Sequence, residues 1–184
     1  MSSKLKSPNI TNLLYEKVHD FSEKEIGSYN FEAKVLENKI LYIIEALSLL
    51  IYGMPIFHAK FYAREKGPVE STMEKIQNKS DNLKNLDKND YENFDFPEFV
   101  ANELFRLTIE GMKKELIPKD PNLLSQITHT EGWREKHKNY IDYKNNKDYK
   151  TYDNTFSLED IYNFAENILE KEYPDFVEYV KDGI

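Results

Sequence analysis

Residues 31–53, FEAKVLENKILYIIEALSLLIYG, decide the fold of this 184-residue chain. Their apolar side chains recur at the spacing of one face of an α-helix: Leu36, Ile40, Ile43, Leu47, Leu50 and Ile51. Further apolar residues widen this stripe almost all the way round, which predicts a helix at the centre of the fold. Gly53 favours the end of the helix because glycine takes a left-handed conformation without a Cβ penalty, and Pro55 prevents its continuation.

Two polar residues, Tyr42 and Glu45, interrupt the apolar surface of this helix. A chemical interpretation makes them a buried acid and its partner. A structural interpretation makes them one polar pair that faces a helix end or water, and it is preferred because buried polar groups are normally hydrogen-bonded.

The next segment, PIFHAKFYAREKGPV at 55–69, has aromatic residues between two prolines, which favours a short pair of strands over a helix. Gly67 and Pro68 close the pair, and Pro68 is predicted at the first position of a helix over 69–77. A phosphate-binding turn is the functional alternative for these two residues. One glycine followed by proline supplies neither consecutive free N–H groups nor the Lys-Ser/Thr pair of a P-loop, so the structural turn is preferred.

With the rest of the sequence, the predicted fold class is mainly α. We expect a single compact helical domain with a central apolar helix and a small two-stranded β-element. Residues 1–30 are predicted to form an N-terminal helical arm or extension, and 31–184 the domain itself. Residues 78–93 carry almost no apolar side chains, which is typical of a polar loop inside the domain.

Three of the helices predicted beyond that loop have distinct sequence signals. One has Phe99 on its apolar stripe, and a short one over 123–128 is capped by Asn122. Ser157 and Asp160 form a capping-box-like pair in front of the third.

Composition narrows the function classes. The formal charge of −8 works against nucleic-acid binding, which draws most of its affinity from basic side chains on phosphate. The absence of cysteine removes disulfides and thiolate metal ligands and favours a reducing compartment. No apolar run reaches the roughly 20 residues that span a bilayer, and none near the start resembles a signal peptide. We therefore expect a soluble, cytoplasmic protein with no membrane or nucleic-acid partner.

The stretch THTEGW, residues 128–133, invites a chemical interpretation. His129, Glu131 and His137 supply donors of the kind that bind zinc, so a metal-dependent hydrolase is the alternative function. In the structural interpretation, Thr130 caps a following helix, Glu131 favours its first turn, His129 caps carbonyls of the preceding helix and Trp133 anchors the joint. The structural interpretation is preferred because the spacing differs from H-E-x-x-H.

Four short blocks, in order, resemble the Panacea domain family, which is SocA-like and phage-associated. The blocks are Asn38-Lys39-Ile40-Leu41-Tyr42, Gly53-Met54-Pro55-Ile56-Phe57, Ala63-Arg64-Glu65-Lys66-Gly67-Pro68-Val69, and Leu124 to Trp133 with the Thr128-His129 pair. This chain departs from the family pattern at Arg64, where the family has tryptophan, and at Gly132, where it has proline. These departures put in doubt any partner contact made there in relatives.

The resemblance implies an antitoxin that neutralises a toxin by direct binding, or an adaptor that hands the toxin to a protease. It implies a toxin partner encoded nearby, no catalytic residue and no metal or other cofactor, so we expect that the protein is not an enzyme. Ten motif residues are expected to serve structure or partner binding: Tyr42, Gly53, Pro55, Phe57, Gly67, Pro68, Val69, Thr128, His129 and Trp133.

Overall fold

The computed structural model describes residues 10–57, 60–78, 98–145 and 153–184. Its elements, in chain order, are α1 (Ile10–Ile26), α2 (Phe31–Tyr52), β1 (Phe61–Arg64), β2 (Gly67–Glu70), α3 (Ser71–Asn78), α4 (Glu98–Lys113), α5 (Pro121–Thr128), α6 (Glu131–Asn145), α7 (Leu158–Phe164), a π-helical turn (Ala165–Leu169), α8 (Glu170–Glu172) and α9 (Pro174–Gly183). The predicted fold class, a mainly α domain with a small two-stranded sheet, is confirmed. The predicted polar loop at 78–93 lies, apart from Asn78, outside the described residues.

The central helix is α2, as its apolar pattern predicts. Every residue from Val35 to Leu49 is buried, and the helix packs against α1, α4, α5, α7 and β2. At its start the Asn30 side chain accepts a hydrogen bond from the N–H of Ala33. At its end Gly53 has a φ of 68°, the left-handed conformation expected of it, and donates its N–H to the Leu49 carbonyl.

The β-element is an antiparallel hairpin with a two-residue turn at Glu65 and Lys66. The predicted helix start at Pro68 is wrong: Pro68 lies in β2 opposite Ala63, and α3 begins at Ser71. Pro68 fits this strand although it has no N–H, because Ala63 turns its own N–H away from β2 and donates it to the Asn154 carbonyl at 2.9 Å. A segment from the last third of the chain thus borders β1.

The structure corrects two further details. The cap of α5 is Asp120, whose carboxylate accepts from the N–H groups of Asn122 and Leu123, so Asn122 lies inside the helix. Phe99, predicted on an apolar stripe, is 69% exposed at the start of α4. The capping box of Ser157 and Asp160 at the start of α7 is confirmed.

The N-terminal helix, α1, packs along α2. Leu14, Tyr15 and Val18 are buried there, and the Tyr15 ring lies 6.0 Å from that of Phe57. The sequence pattern separates this N-terminal segment from the domain. In the structure, these contacts join it to the residues of the central core. No helix in the described ranges combines the length and apolarity needed to cross a membrane.

Candidate functional site

Four of the motif residues, Gly67, Pro68, Thr128 and Trp133, lie together at the β-hairpin. Three backbone carbonyls, spaced two residues apart along its tip, each accept a hydrogen bond from a side chain of a different helix. The pairs are Trp133 Nε1 to Arg64 at 2.9 Å, Ser125 Oγ to Lys66 at 2.8 Å and Lys39 Nζ to Pro68 at 3.0 Å. Helices α6, α5 and α2 therefore bind the end of β1, the turn and β2 of the hairpin through their backbone carbonyls.

Lys39 is the least expected member of this cluster because it is a lysine at the centre of the fold. Its side chain is buried, and burial lowers the pKa of its amine to about 7. A neutral or partly neutral amine can be buried at a smaller desolvation cost than a full charge. Its hydrogen bond to the Pro68 carbonyl gives it a structural role at the hairpin.

Gly67 fits this environment for two separate reasons. Its φ is +100°, a conformation that residues with a side chain rarely adopt. A Cβ there would also lie 2.6 Å from Thr128 Oγ1 and 2.7 Å from Lys39 Nζ, so there is no room for one. The Thr128 hydroxyl points back to its own helix, 3.0 Å from the Leu124 carbonyl. The motif residues Gly67 and Thr128 are thus packed against each other.

The THTEGW stretch lies at the joint between α5 and α6, as the structural interpretation predicts. Thr130 accepts a hydrogen bond from the N–H of Trp133 at 3.3 Å, and the Trp133 indole anchors α6, which has no fully buried residue, to β1. His129 is the C-cap of α5, as predicted, and its backbone N–H caps the Gln126 carbonyl at 3.2 Å, but its side chain takes no part in the cap. Its ring instead stacks on the indole, with centroids 3.7 Å apart and planes 14° apart.

His137 stacks on the same indole, with centroids 4.6 Å apart and planes 13° apart. Two imidazoles at these distances occupy opposite faces of Trp133, so the indole separates them, whereas zinc-binding nitrogens must all lie about 2 Å from one ion. Burial first, and then nearby positive charges beginning with Lys39, lower the pKa of His129 to about 4. The geometry does not bring His129, Glu131 and His137 together as a ligand set, and no other metal-binding group of three or more such residues occurs in the described parts of the chain.

A second cluster holds the turn that follows α2. The Glu45 carboxylate accepts the N–H groups of Ile56 at 2.7 Å and Phe57 at 3.1 Å, and Ser48 Oγ donates to the Met54 carbonyl at 2.6 Å. Burial raises the pKa of Glu45 to about 8, although these hydrogen bonds act in the opposite direction. Polar side chains of α2 therefore fix the backbone of residues 54–57, the segment that contains the motif residues Pro55 and Phe57.

Tyr42 is not the partner of Glu45. Its ring lies in an aromatic cluster with Phe61, Phe156 and Phe164, at centroid distances of 5.3, 5.6 and 4.9 Å. Its buried hydroxyl has no hydrogen-bond partner among the described residues, and burial raises its pKa well above the ordinary value. This hydroxyl is a buried polar group that packing alone does not explain.

Sequence reasoning missed the polar residues that complete the β2 end of the hairpin. Asn38 Oδ1 accepts the N–H of Glu70 at 2.9 Å, and the Glu70 carboxylate accepts the N–H groups of Thr72 and Met73 at the start of α3. Burial raises the pKa of Glu70 to about 6. The sequence did contain a signal for these residues, namely a run of polar residues within the most apolar helix. Such a run marks the positions where α2 contacts backbone instead of other side chains.

Comparison with known proteins connects this geometry to a family. A family model described as antitoxin SocA-like, Panacea domain, matches residues 38–182, from the middle of α2 to α9. No curated protein and no solved structure matches the chain. The matched region contains the whole hairpin cluster.

Proposed function

The chain belongs to the antitoxin SocA-like, Panacea domain family, and from this membership we propose that it neutralises a toxin protein by binding it directly. The observation that carries the proposal is the family match over residues 38–182. It includes most of the central helix, the hairpin and the joint at Trp133, so the match rests on more than an isolated motif.

Binding, and not catalysis, is the activity that the described side chains favour. Lys39 bonds to a backbone carbonyl, and Glu45 and Glu70 each bond to two backbone N–H groups. Perturbed ionisable groups are often catalytic, but these three satisfy buried backbone and lie beneath the surface. We propose that the protein is not an enzyme and needs no cofactor.

The partner that we propose is a toxin encoded beside this chain. The formal charge of −8 would attract a basic toxin, because complementary charge raises the association rate of two proteins. Proteolytic delivery is the alternative outcome of the same binding event: the chain would then hand the toxin to a protease.

Co-expression tests the proposal. Each neighbouring reading frame is induced in a bacterial host with and without this protein, and the protein is then recovered by an affinity tag. We expect one neighbour to be toxic alone, harmless in the pair and present in the recovered complex. A constant toxin level indicates neutralisation by binding, whereas a level that falls only in hosts with an intact protease indicates delivery. If no neighbour is toxic and none is recovered, the proposal is wrong.

A further inference from the structure

Helix α6 is held on the domain by few contacts. Every residue of this helix is described, none of them is fully buried, and its main packing partner is β1. The Trp133 indole donates to the Arg64 carbonyl at 2.9 Å, and the Arg64 guanidinium lies 5.1 Å from the Tyr140 ring centroid. Asn139 adds an exposed hydrogen bond to the Asp153 carbonyl at 3.2 Å. The attachment of α6 therefore depends strongly on the indole and on the groups that touch it.

The groups that touch the indole are two imidazoles. His129 and His137 stack on its two faces, with ring planes 14° and 13° from that of Trp133. In each imidazole the Nε2 atom is buried and has no hydrogen-bond partner among the described residues. An imidazolium carries an N–H on both of its nitrogens, so a proton gained by either ring leaves a buried, charged donor without an acceptor. The closed joint therefore favours neutral rings.

The charges around the two rings act mainly in the same direction. The basic groups that act on His129 come from three elements: Lys39 of α2, Lys66 of the hairpin turn, and Arg134 and His137 of α6. Burial is the largest cause that lowers the pKa of both imidazoles, to about 4 for His129. The Glu65 carboxylate, in the hairpin turn, acts on His137 in the opposite sense.

Stacking on the indole works against this preference, because a cation over the face of a tryptophan is attracted by the ring. Two effects oppose that attraction here. The buried nitrogen of each imidazole loses its hydration, and the buried amine of Lys39 acts on His129 from the α2 side. Two imidazolium ions on opposite faces of one indole would also repel each other across the thickness of a single ring. Loss of hydration and repulsion together outweigh the attraction.

We propose that the His129–Trp133–His137 stack is a proton-sensitive latch, which keeps α6 on the hairpin while both imidazoles are neutral and releases the helix when they gain protons. Histidines packed in an interface are the side chains best suited to such a switch, because a small change in surroundings moves their charge across the physiological range. In the released state both rings reach water and Trp133 leaves the Arg64 carbonyl. The latch does not depend on the proposed antitoxin function.

The direction of the pH dependence follows from the lowered pKa values. The pKa of His129 falls from 6.5 to about 4 in the closed joint, so the open state binds more protons between these values. The contribution of the rings to the attachment is therefore complete above pH 6.5 and is lost as pH falls toward 4. Lys39 does not share this range, because its pKa is lowered from 10.5 to about 7 and its proton balance changes only between those values.

The first test uses the fluorescence of Trp133, the only tryptophan of the chain. The full chain is titrated from pH 8 to pH 4.5 in 0.15 M salt. We expect the emission to shift to the red as the indole enters water, and the protection of α6 amides from hydrogen exchange to fall roughly tenfold between pH 6.5 and pH 5, with α4 unchanged. The double variant His129→Phe with His137→Phe keeps a ring on both faces of the indole and should abolish both changes. The matched variant His19→Gln removes a histidine of α1, outside the joint, and should keep them.

The second test needs no variant, so it decides the question even where the double variant does not fold. Proton NMR of the ring Cε1–H groups measures the pKa of each histidine in the unchanged chain, and we expect His129 and His137 to titrate below 6.5. Titration of either ring above 6.5 would mean that protons tighten the stack, and the proposal would be wrong. Three further results would overturn it: emission and α6 exchange that stay constant down to pH 4.5, the same transition in the folded double variant, or equal acceleration in α4, which indicates unfolding of the whole domain.

Discussion

The hairpin side and the α4–α9 side of the molecule are held together in different ways. At the hairpin, buried side chains such as Lys39 and Trp133 bond to strand backbone. Between α4 and α9, buried apolar residues such as Leu107 and Phe176 make the contact, and polar pairs such as Arg106 with Glu110 stay exposed. The hairpin therefore depends on particular atoms, whereas the α4–α9 contact depends mainly on volume.

Gly67→Val should break the hairpin side most severely. It places a side chain at a φ of +100° and against Thr128 and Lys39, so we expect the free energy of unfolding to fall by about 3 kcal/mol or more. Urea unfolding at neutral pH measures the loss. Gly111→Ala is the matched change on the other side, where the new Cβ would lie 2.6 Å from the Phe176 ring. Because that glycine is helical and gains propensity from alanine, its loss should be smaller; equal losses would remove the contrast.

Glu45→Ala should destabilise the turn after α2 by about 2–4 kcal/mol, since it leaves the buried N–H groups of Ile56 and Phe57 without an acceptor. Glu45→Gln keeps an oxygen acceptor and should lose much less at pH 8. Chemical denaturation of both variants measures the difference. If alanine and glutamine prove equivalent, the two hydrogen bonds do not stabilise the turn.

The same residue gives a pH dependence. The pKa of Glu45 is raised from 4.5 to about 8 in the folded protein, so the folded state holds a proton that the unfolded state releases between these values. Its contribution to stability is therefore complete below pH 4.5 and is lost as pH rises through 8. Relative to Glu45→Gln, the unchanged protein should become progressively less stable from pH 5 to pH 8. A constant difference over that range would contradict the raised pKa.

Trp133→Phe should have a local effect. It removes the Nε1 hydrogen bond to the Arg64 carbonyl but keeps an aromatic ring between His129 and His137, so a loss of about 1 kcal/mol is expected. Hydrogen exchange should accelerate in α6 and not in α4. Equal acceleration in both helices would mean that the indole stabilises the whole domain and not the joint alone.

Arg106→Ala should have the smallest effect. The Arg106 side chain is exposed, and its bonds to Glu103 and Glu110 compete with water and are weakened by salt. We expect a melting temperature indistinguishable from that of the unchanged protein in 0.15 M salt. A clear drop in the melting temperature would show that the exposed ion pairs of the α4–α9 side contribute to stability. The two sides of the molecule would then differ less in how they are stabilised.

The local sequence pattern was sufficient to predict the structure wherever interactions between neighbouring residues determine it. The apolar spacing of α2, the left-handed Gly53 and the capping box at Ser157 follow from neighbouring residues alone. Pro68 was misplaced because its strand position depends on Asn154, far along the chain, which takes the N–H of the opposite residue. Lys39 was not singled out because a lysine on a helix gives no local sign that a carbonyl lies within reach.

The joint at THTEGW shows that one sequence pattern can support two interpretations, of which the preferred structural one agrees with the structure. His129, Trp133 and His137 are spaced four residues apart, which places such side chains on one side of a helical path. The alternative interpretation took His129, Glu131 and His137 as metal donors, and ring stacking of the two histidines on Trp133 was not considered. A cleft beside this joint, lined by Glu131 of α6 and Asp160 of α7, was not predicted, because only the tertiary fold brings these two helices together.

The pairing of β1 with the segment around Asn154 has a consequence for synthesis of the chain. Asn154 bonds to Ala63 across 91 residues of sequence, so the hairpin remains incomplete while the ribosome is still translating the helices between them. Contacts of such long range form late and slow folding, because the intervening chain must first be drawn together. A nascent chain should therefore acquire protease resistance at the hairpin only after its last third has left the exit tunnel. A chain arrested before residue 154 would contain α2 but not the segment that completes the hairpin.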